Sequence, residues 1–258
     1  MGVFTELGDA DSLSIANAYN MKPLTSVIGI ADGDTETTYL FRAGKDEFIV
    51  TLFENGAEPV DLERAFDTMD NLYAHGVPCP EPRRTLNGDA TYRAADRLVA
   101  VVDYLPGSPT KTLDMPRAES LGGVMAQIHA VLARNSKRAL PDLPSGSIHG
   151  ALDQENVFFL GDDVINFRLR HEDVLVSEVA DVIVGCTMSE DGSLDFNLAK
   201  ALLRGYRAVR ELSAVERLAL PGYVLASAAR FFARDDRRDH LLDLASSAHR
   251  SITPEIFN

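Results

Sequence analysis

The sequence predicts an α+β fold in two parts, a β-rich front over residues 1–105 and a mainly helical back over residues 106–258. Three observations predict it. Strand-prone runs such as Phe48-Ile49-Val50-Thr51-Leu52-Phe53 crowd the first hundred residues. Pro106-Gly107 then breaks the pattern. Beyond it, apolar residues recur at the 3,4 spacing of helices.

In order, Leu13–Tyr19 reads as a short helix ending before Lys22-Pro23. Val27–Ile30 and Tyr39–Phe41 form a strand pair, and Gly44-Lys45-Asp46 is a turn into the strand Phe48–Phe53. Asp61–His75 carries Leu62, Ala65, Phe66, Met69, Leu72 and Tyr73 on one helical face, closed by Gly76 in the C′ position. Pro78, Pro80 and Pro82 keep the next stretch extended, because each disfavours helix at itself and at the residue before it. Arg97–Tyr104 is a further strand.

In the second part, Arg117–Ala133 is a periodic helix, with Gly122-Gly123 as a packing or kink site. Strands at Asn156–Leu160 and Asp163–Phe167 flank the turn Gly161-Asp162. Helices follow at Glu178–Val184, Asn197–Arg210, Leu212–Ala233 with a break near Pro221-Gly222, and Asp239–Arg250. Ser213 and Glu216 form a capping box.

Bulk composition excludes some partners. With 25 Lys and Arg against 39 Asp and Glu, the formal net charge is -14. Such a field repels a phosphate backbone, so nucleic acid is not expected, and anionic membrane surfaces are disfavoured. A nucleotide remains compatible if a local cation offsets the field. Cys79 and Cys186 lack metal-ligand spacing and read as buried thiols in a reducing compartment. The N-terminus does not have the pattern of a signal peptide, and no apolar run reaches the ~20 residues of a spanning helix, so a cytoplasmic protein is expected. His129 reads as a satisfied core histidine, His171-Glu172-Asp173 as a solvated turn, and Arg234–Asp239 as an exposed, charge-balanced loop.

Ile148-His149-Gly150-Ala151-Leu152-Asp153-Gln154-Glu155-Asn156-Val157 resembles the catalytic loop of the aminoglycoside phosphotransferase and choline kinase superfamily, whose pattern is His-x-Asp-x-x-x-x-Asn. Ile165-Asn166-Phe167 falls where that superfamily has Ile-Asp-Phe. The resemblance is closest to bacterial homoserine kinases of this fold. Gly29–Gly33, Phe48–Glu54, Gly76–Pro80, Gln127–His129, Asn156–Phe159 and Ala201–Tyr206 all read as that family's. It implies a protein-kinase-like bilobal fold, with a nucleotide lobe in front. The nucleotide cleft would then draw on Gly29, Gly33, Glu36, Thr37, Thr51, Asp103 and Tyr104.

The departures bear on function. The superfamily's catalytic aspartate falls at Ala151, whose methyl group can neither accept nor orient a proton. Loss of a general base costs roughly 10²–10⁴-fold in rate. Asp153 is the candidate substitute, and His149 braces the loop. The magnesium-holding aspartate falls at Asn166, and the other metal position, Asn156, is also neutral. Asp34 and Glu36 put negative charge in the phosphate-covering loop. From His129 to His149 there are 20 positions (149 − 129), where relatives carry several tens of helical residues that build the acceptor site. A degenerate, shortened pseudokinase that holds ATP and magnesium weakly, and that works through a protein partner or a second copy, is the first expectation. An active phosphotransferase acting on homoserine or a related alcohol is the second.

Overall fold

The computed structural model describes residues 5–32, 36–54, 57–110, 112–134, 143–150, 158–160, 163–165, 171–189, 193–233 and 241–258. The backbone divides into two compact units, Met1–Pro106 and Gly107–Asn258. The architecture is mixed α+β, with antiparallel sheets throughout the described residues.

The first unit opens with α1 (Asp9–Ala18), followed by β1 (Leu24–Asp32), β2 (Glu36–Ala43), β3 (Asp46–Phe53), α2 (Pro59–Ala74), β4 (Pro82–Arg83), β5 (Thr91–Ala94) and β6 (Arg97–Asp103). The sheet runs β1-β2-β3-β6-β4, with β5 also paired to β6. Gly44, at φ 67°, supplies the left-handed turn that lets Ala43 pair with Asp46. The hairpin β5–β6 was not legible in the sequence. Its two-residue turn places Ala95 (φ 48°) and Asp96 (φ 57°) in the left-handed region, where Gly or Asn is the usual signal.

The core of this unit forms where α1 lays Ile15 and Tyr19 against Phe41, Val50, Leu52, Val99 and Val101. The Tyr19 hydroxyl is within reach of the carbonyls of Ala90 (3.0 Å) and Val99 (3.1 Å), which fastens α1 to the sheet. Phe66 of α2 packs on Ala90 and Ala100. Arg84 donates to Glu63 and Asp70 of the same helix and pins it beside β4.

At the end of β3, the Glu54 side chain is 1% exposed and accepts from Arg97 Nε at 2.8 Å, Thr37 Oγ1 at 2.6 Å and Thr5 Oγ1 at 2.9 Å. Burial pushes this carboxyl upward. The bonds from Thr37, Arg97 and Thr5, with the charge of Arg97, outweigh it and hold the pKa down at about 2.

The second unit contains β7 (Ser108–Pro109), α3 (Met115–Leu132), β8 (Ala133–Arg134), β9 (Ser145–Ile148), β10 (Phe158–Leu160), β11 (Asp163–Ile165), β12 (His171–Val174), α4 (Leu175–Thr187), α5 (Phe196–Val209), α6 (Ala214–Ala233) and α7 (Leu241–Ser251), with a 3₁₀ turn at Pro254–Phe257. Two small sheets, β11-β10-β7 and β12-β9-β8, accompany the helices. Helix α4 carries Leu175, Val179, Val182 and Ile183, all fully buried, so it runs through the interior of the unit.

Helices α3 and α5 cross at backbone contact. A Cβ at Gly122 would lie 1.9 Å from the Leu202 carbonyl oxygen, and one at Gly205 would lie 1.9 Å from that of Glu119. Gly122 is therefore a packing glycine, one of the two uses expected of Gly122-Gly123. Arg204 pairs with Glu119 beside this crossing.

Two local expectations are corrected. Residues 171–173 are strand rather than turn, because His171, Glu172 and Asp173 pair with Ile148, Ser147 and Gly146 of β9, although Glu172 and Asp173 are solvent-exposed as expected. Helix α6 runs without a break through Pro221. Leu220 and Val224 on either side of that proline, and Ala228 a turn later, are fully buried and keep both halves of the helix on one interior face. The Arg234–Asp239 stretch lies outside the described residues.

Gly122→Ala or Gly205→Ala is expected to lower stability by about 3 kcal/mol or more, since backbone on the other helix cannot move aside. Chemical denaturation midpoints check this, with the exposed Gly222→Ala, which meets nothing within 4 Å, as the mild control. Glu54 gives a second prediction. A folded pKa below the ordinary 4.5 contributes stability that is fully present above pH 4.5 and is lost as the pH falls toward 2. Wild-type protein should lose stability across that window, and Glu54→Gln should show a shallower pH dependence in urea titrations.

Candidate functional site

The residues assigned to the site by sequence fall on both units. In the first unit, Gly29 is exposed on the edge strand β1, and Glu36 is half-buried at the start of β2. Thr37 is fully buried and directs its hydroxyl proton to Glu54. Thr51 is buried in β3, in register with Thr38 and Ala100. Asp103 accepts from both Nε and Nη2 of Arg83, each at 2.6 Å, and the Arg83 guanidinium stacks over Phe48 at 5.9 Å. The Tyr104 amide donates to the Glu47 carbonyl at 3.0 Å. Gly33 lies outside the described residues.

An open depression of about 690 Å³ lies between α1 and the turn before β5, bordered by Leu13, Ser14, Asn17, Leu86, Asn87 and Tyr92. It holds none of the residues assigned by sequence.

In the second unit, Ala151, Asp153 and Asn156 fall within residues 151–157, and Asn166 within residues 166–170, which lie outside the described residues. The segments on either side are described. Phe158 pairs with Ile165, so the chain enters and leaves the β10–β11 hairpin at one end, next in sequence to residues 157 and 166. On the other side, β9 delivers His149, which is buried, and then Gly150 at φ 70°. That left-handed conformation suits a residue without a Cβ and turns the chain sharply before residue 151.

A buried polar chain holds this turn. The Gly150 amide donates to Glu178 Oε1 at 2.8 Å, and the other oxygen, Oε2, meets His129 Nε2 at 2.8 Å. His129 Nδ1 meets the Tyr206 hydroxyl at 2.8 Å. Tyr206 receives Arg210 Nη1 at 2.8 Å, and Arg210 Nη2 donates to Glu216 Oε1 at 2.8 Å. Glu216 also accepts from the Ser213 amide, and its own amide is 3.2 Å from Ser213 Oγ, the capping box expected at the start of α6. His129, Tyr206 and Glu216 are 0% exposed and Glu178 1%. Burial raises the Tyr206 phenol, and the neighbouring Arg210 charge only partly opposes it, so this hydroxyl stays protonated.

His129 is thus the satisfied core histidine expected. Glu178, Tyr206 and Arg210 were missed as parts of a loop support. One signal was available: Glu178 interrupts the apolar run Leu175-Val176-Ser177-Glu178-Val179-Ala180. A carboxylate there must find donors inside the protein.

Residues 26–144 match the family model of the phosphotransferase enzyme family. The homoserine kinase of Gluconacetobacter diazotrophicus is 30% identical across 90% of this chain and 87% of that protein. The chain belongs to the phosphotransferase enzyme family, among relatives of homoserine kinase. The homoserine kinase of Granulibacter bethesdensis is 28% identical over 90% of this chain and 86% of its own length. In fold, the chain is similar to a microcompartment-associated aminopropanol kinase, with a TM-score of 0.62 at 16% identity, covering 93% of this chain and 95% of that one. It also resembles an aminoglycoside phosphotransferase from Alicyclobacillus acidocaldarius, with a TM-score of 0.66 at 12% identity, covering 98% and 94%. These members of the family have a kinase-like fold, and this chain shares it.

The Gluconacetobacter alignment occupies 278 positions, whereas 90% of this 258-residue chain is about 232 residues, so about 46 positions face no residue of this chain. No helix among the described residues is long and apolar enough to cross a membrane.

Removing one partner of the buried Arg210–Glu216 pair should be costly. Arg210→Leu leaves the Glu216 carboxylate interior and without its cation, and is expected to cost about 3–5 kcal/mol. Thermal and urea unfolding check this. Surface Arg64→Ala, whose pairing with Asp61 is exposed, should stay within about 0.5 kcal/mol.

Proposed function

We propose that this chain is a kinase-fold pseudoenzyme, descended from homoserine kinases, that acts by binding rather than by transferring phosphate. The observation that carries this reading is Ala151 at the position of the catalytic aspartate, in a register fixed by Asn156 five positions later. A methyl group offers no lone pair to an acceptor hydroxyl, and the loss is worth roughly 10²–10⁴-fold in rate.

Magnesium and ATP are implied by the fold family. The donor set does not fit a tightly held ion: Asn166 would offer a neutral amide oxygen where the family pattern has a carboxylate, Asn156 is the neutral residue that pattern already has, and magnesium prefers anionic oxygen. Asp34 and Glu36 add charge of the wrong sign for a triphosphate. The proposed function therefore involves no step through the metal. The front unit would serve as a weak nucleotide lobe through Gly29, Gly33, Glu36, Thr37, Thr51, Asp103 and Tyr104. The positions facing gaps in the homoserine kinase alignment support a reduced acceptor site. A protein partner or a second copy would occupy the surface thereby uncovered, in the cytoplasm.

A second reading is favoured by one feature. The turn at Gly150, which leads into the loop positions, is held by a buried carboxylate, Glu178. With Asp153 as substitute base, the chain would be a slow ATP-dependent kinase for homoserine or a related amino alcohol.

Two measurements separate the readings. Under the pseudoenzyme reading, ATP with magnesium raises the melting temperature little and homoserine is not turned over. The double variant Ala151→Asp with Asn166→Asp should gain at least about a hundredfold over wild type in any residual transfer. Wild-type turnover of homoserine equal to that of the double variant would establish the active kinase instead.

A further inference from the structure

We infer that the buried chain from Arg210 to Gly150 is a one-way hydrogen-bond relay that fixes a single tautomer of His129 and makes Glu178 the positioning residue for the segment entering residue 151. The direction follows from counting protons. Arginine has only donors, so Tyr206 must accept from Arg210 Nη1. The phenol then has one proton left to give, and His129 Nδ1, 2.8 Å away, can take it as a bare lone pair. His129 must therefore carry its proton on Nε2, which donates to Glu178 Oε2. Glu178 ends the relay as a pure acceptor, taking His129 on one oxygen and the Gly150 amide on the other.

The alternatives each strand a group among the described residues. A doubly protonated His129 would donate to a Tyr206 oxygen that already receives Arg210, leaving the phenol proton without an acceptor in a fully buried site. The opposite neutral tautomer would do the same, and would also set a bare Nε2 against a carboxylate oxygen 2.8 Å away. Only the Nε2–H form satisfies all the partners.

The relay crosses four helices. Glu216 of α6 clamps Arg210 at the C-terminal end of α5, Tyr206 lies on α5, His129 on α3 and Glu178 on α4, and the last bond reaches the residue that turns the chain after β9. The direction in which the backbone leaves Gly150 is thus set by packing among helices. Nothing in this relay depends on whether the chain transfers phosphate.

The test is nitrogen-15 spectroscopy of the histidines in the full-length protein at neutral pH, with His129 assigned by loss of its signals in His129→Gln, combined with amide exchange at Gly150. The expected wild-type signature is a neutral ring protonated on Nε2 and bare at Nδ1. In Tyr206→Phe that pure signature should give way to a mixture, and the Gly150 amide should exchange about tenfold faster or more. Glu178→Gln keeps only one acceptor oxygen. Since the Arg210–Tyr206 end still demands a bare Nδ1, the ring should keep its proton on Nε2, while the Gly150 amide loses its acceptor and exchanges about tenfold faster or more. A doubly protonated or Nδ1–H ring in wild type would overturn the inference. So would unchanged Gly150 exchange in folded Tyr206→Phe and Glu178→Gln. If both variants fail to fold, the wild-type tautomer alone decides.

Discussion

A carboxylate enclosed in protein has to be met by donors from several directions, and Glu178 is met from two. One oxygen takes the Gly150 amide and the other takes His129. Because His129 leans on Tyr206, Tyr206 on Arg210 and Arg210 on Glu216, four helices must be in register before this one side chain is satisfied. Leaving any member unpaired would expose a polar group to an apolar interior, at a cost of about 1–3 kcal/mol even for an uncharged one. The second unit is organised around that requirement, and the strand β9 arrives at residue 150 already aimed.

The two units handle buried charge by the same rule with different parts. In the first, Glu54 collects a guanidinium and two hydroxyls, including one from Thr5 near the N-terminal end of the described chain. The carboxylate therefore fastens the segment before α1 to the sheet. Tyr39 adds to this by donating to the Thr5 carbonyl at 2.7 Å and receiving the Leu7 amide at 3.2 Å. Residues that resemblance assigns to a ligand cleft, Thr37 and Asp103, are at the same time structural partners of Glu54 and Arg83. Any ligand role they have must be compatible with those bonds.

Most of the architecture was legible because periodicity carries it. The strand runs around Phe48–Phe53 and Arg97–Asp103 and the helices near Asp61, Arg117 and Asn197 appear with shifts of a few residues at their ends. What escaped was short or locally unmarked. The β5–β6 turn uses Ala95 and Asp96 where Gly or Asn would have announced it. β9 is Ser145-Gly146-Ser147-Ile148, with no alternation to read, and β12 exists only because β9 is there to pair with it. At the site, motif spacing located the loop and the neutral residues in it, whereas its support was invisible. The partners are 49 and 77 positions apart for His129 with Glu178 and with Tyr206, and nothing local in the sequence links them.

The crossing of α3 and α5 has a consequence for how such a chain can change over time. Where Gly122 and Gly205 bring two main chains together, no side chain is left to be trimmed or enlarged. Elsewhere in a core, one substitution can be compensated by another of complementary volume. Here neither glycine has a partner that could shrink in response, so the two positions are frozen independently of what the protein does. Sequence drift is channelled to places that bear no such contact, and a chain can exchange its chemistry while this pivot, and the fold that turns on it, stays fixed.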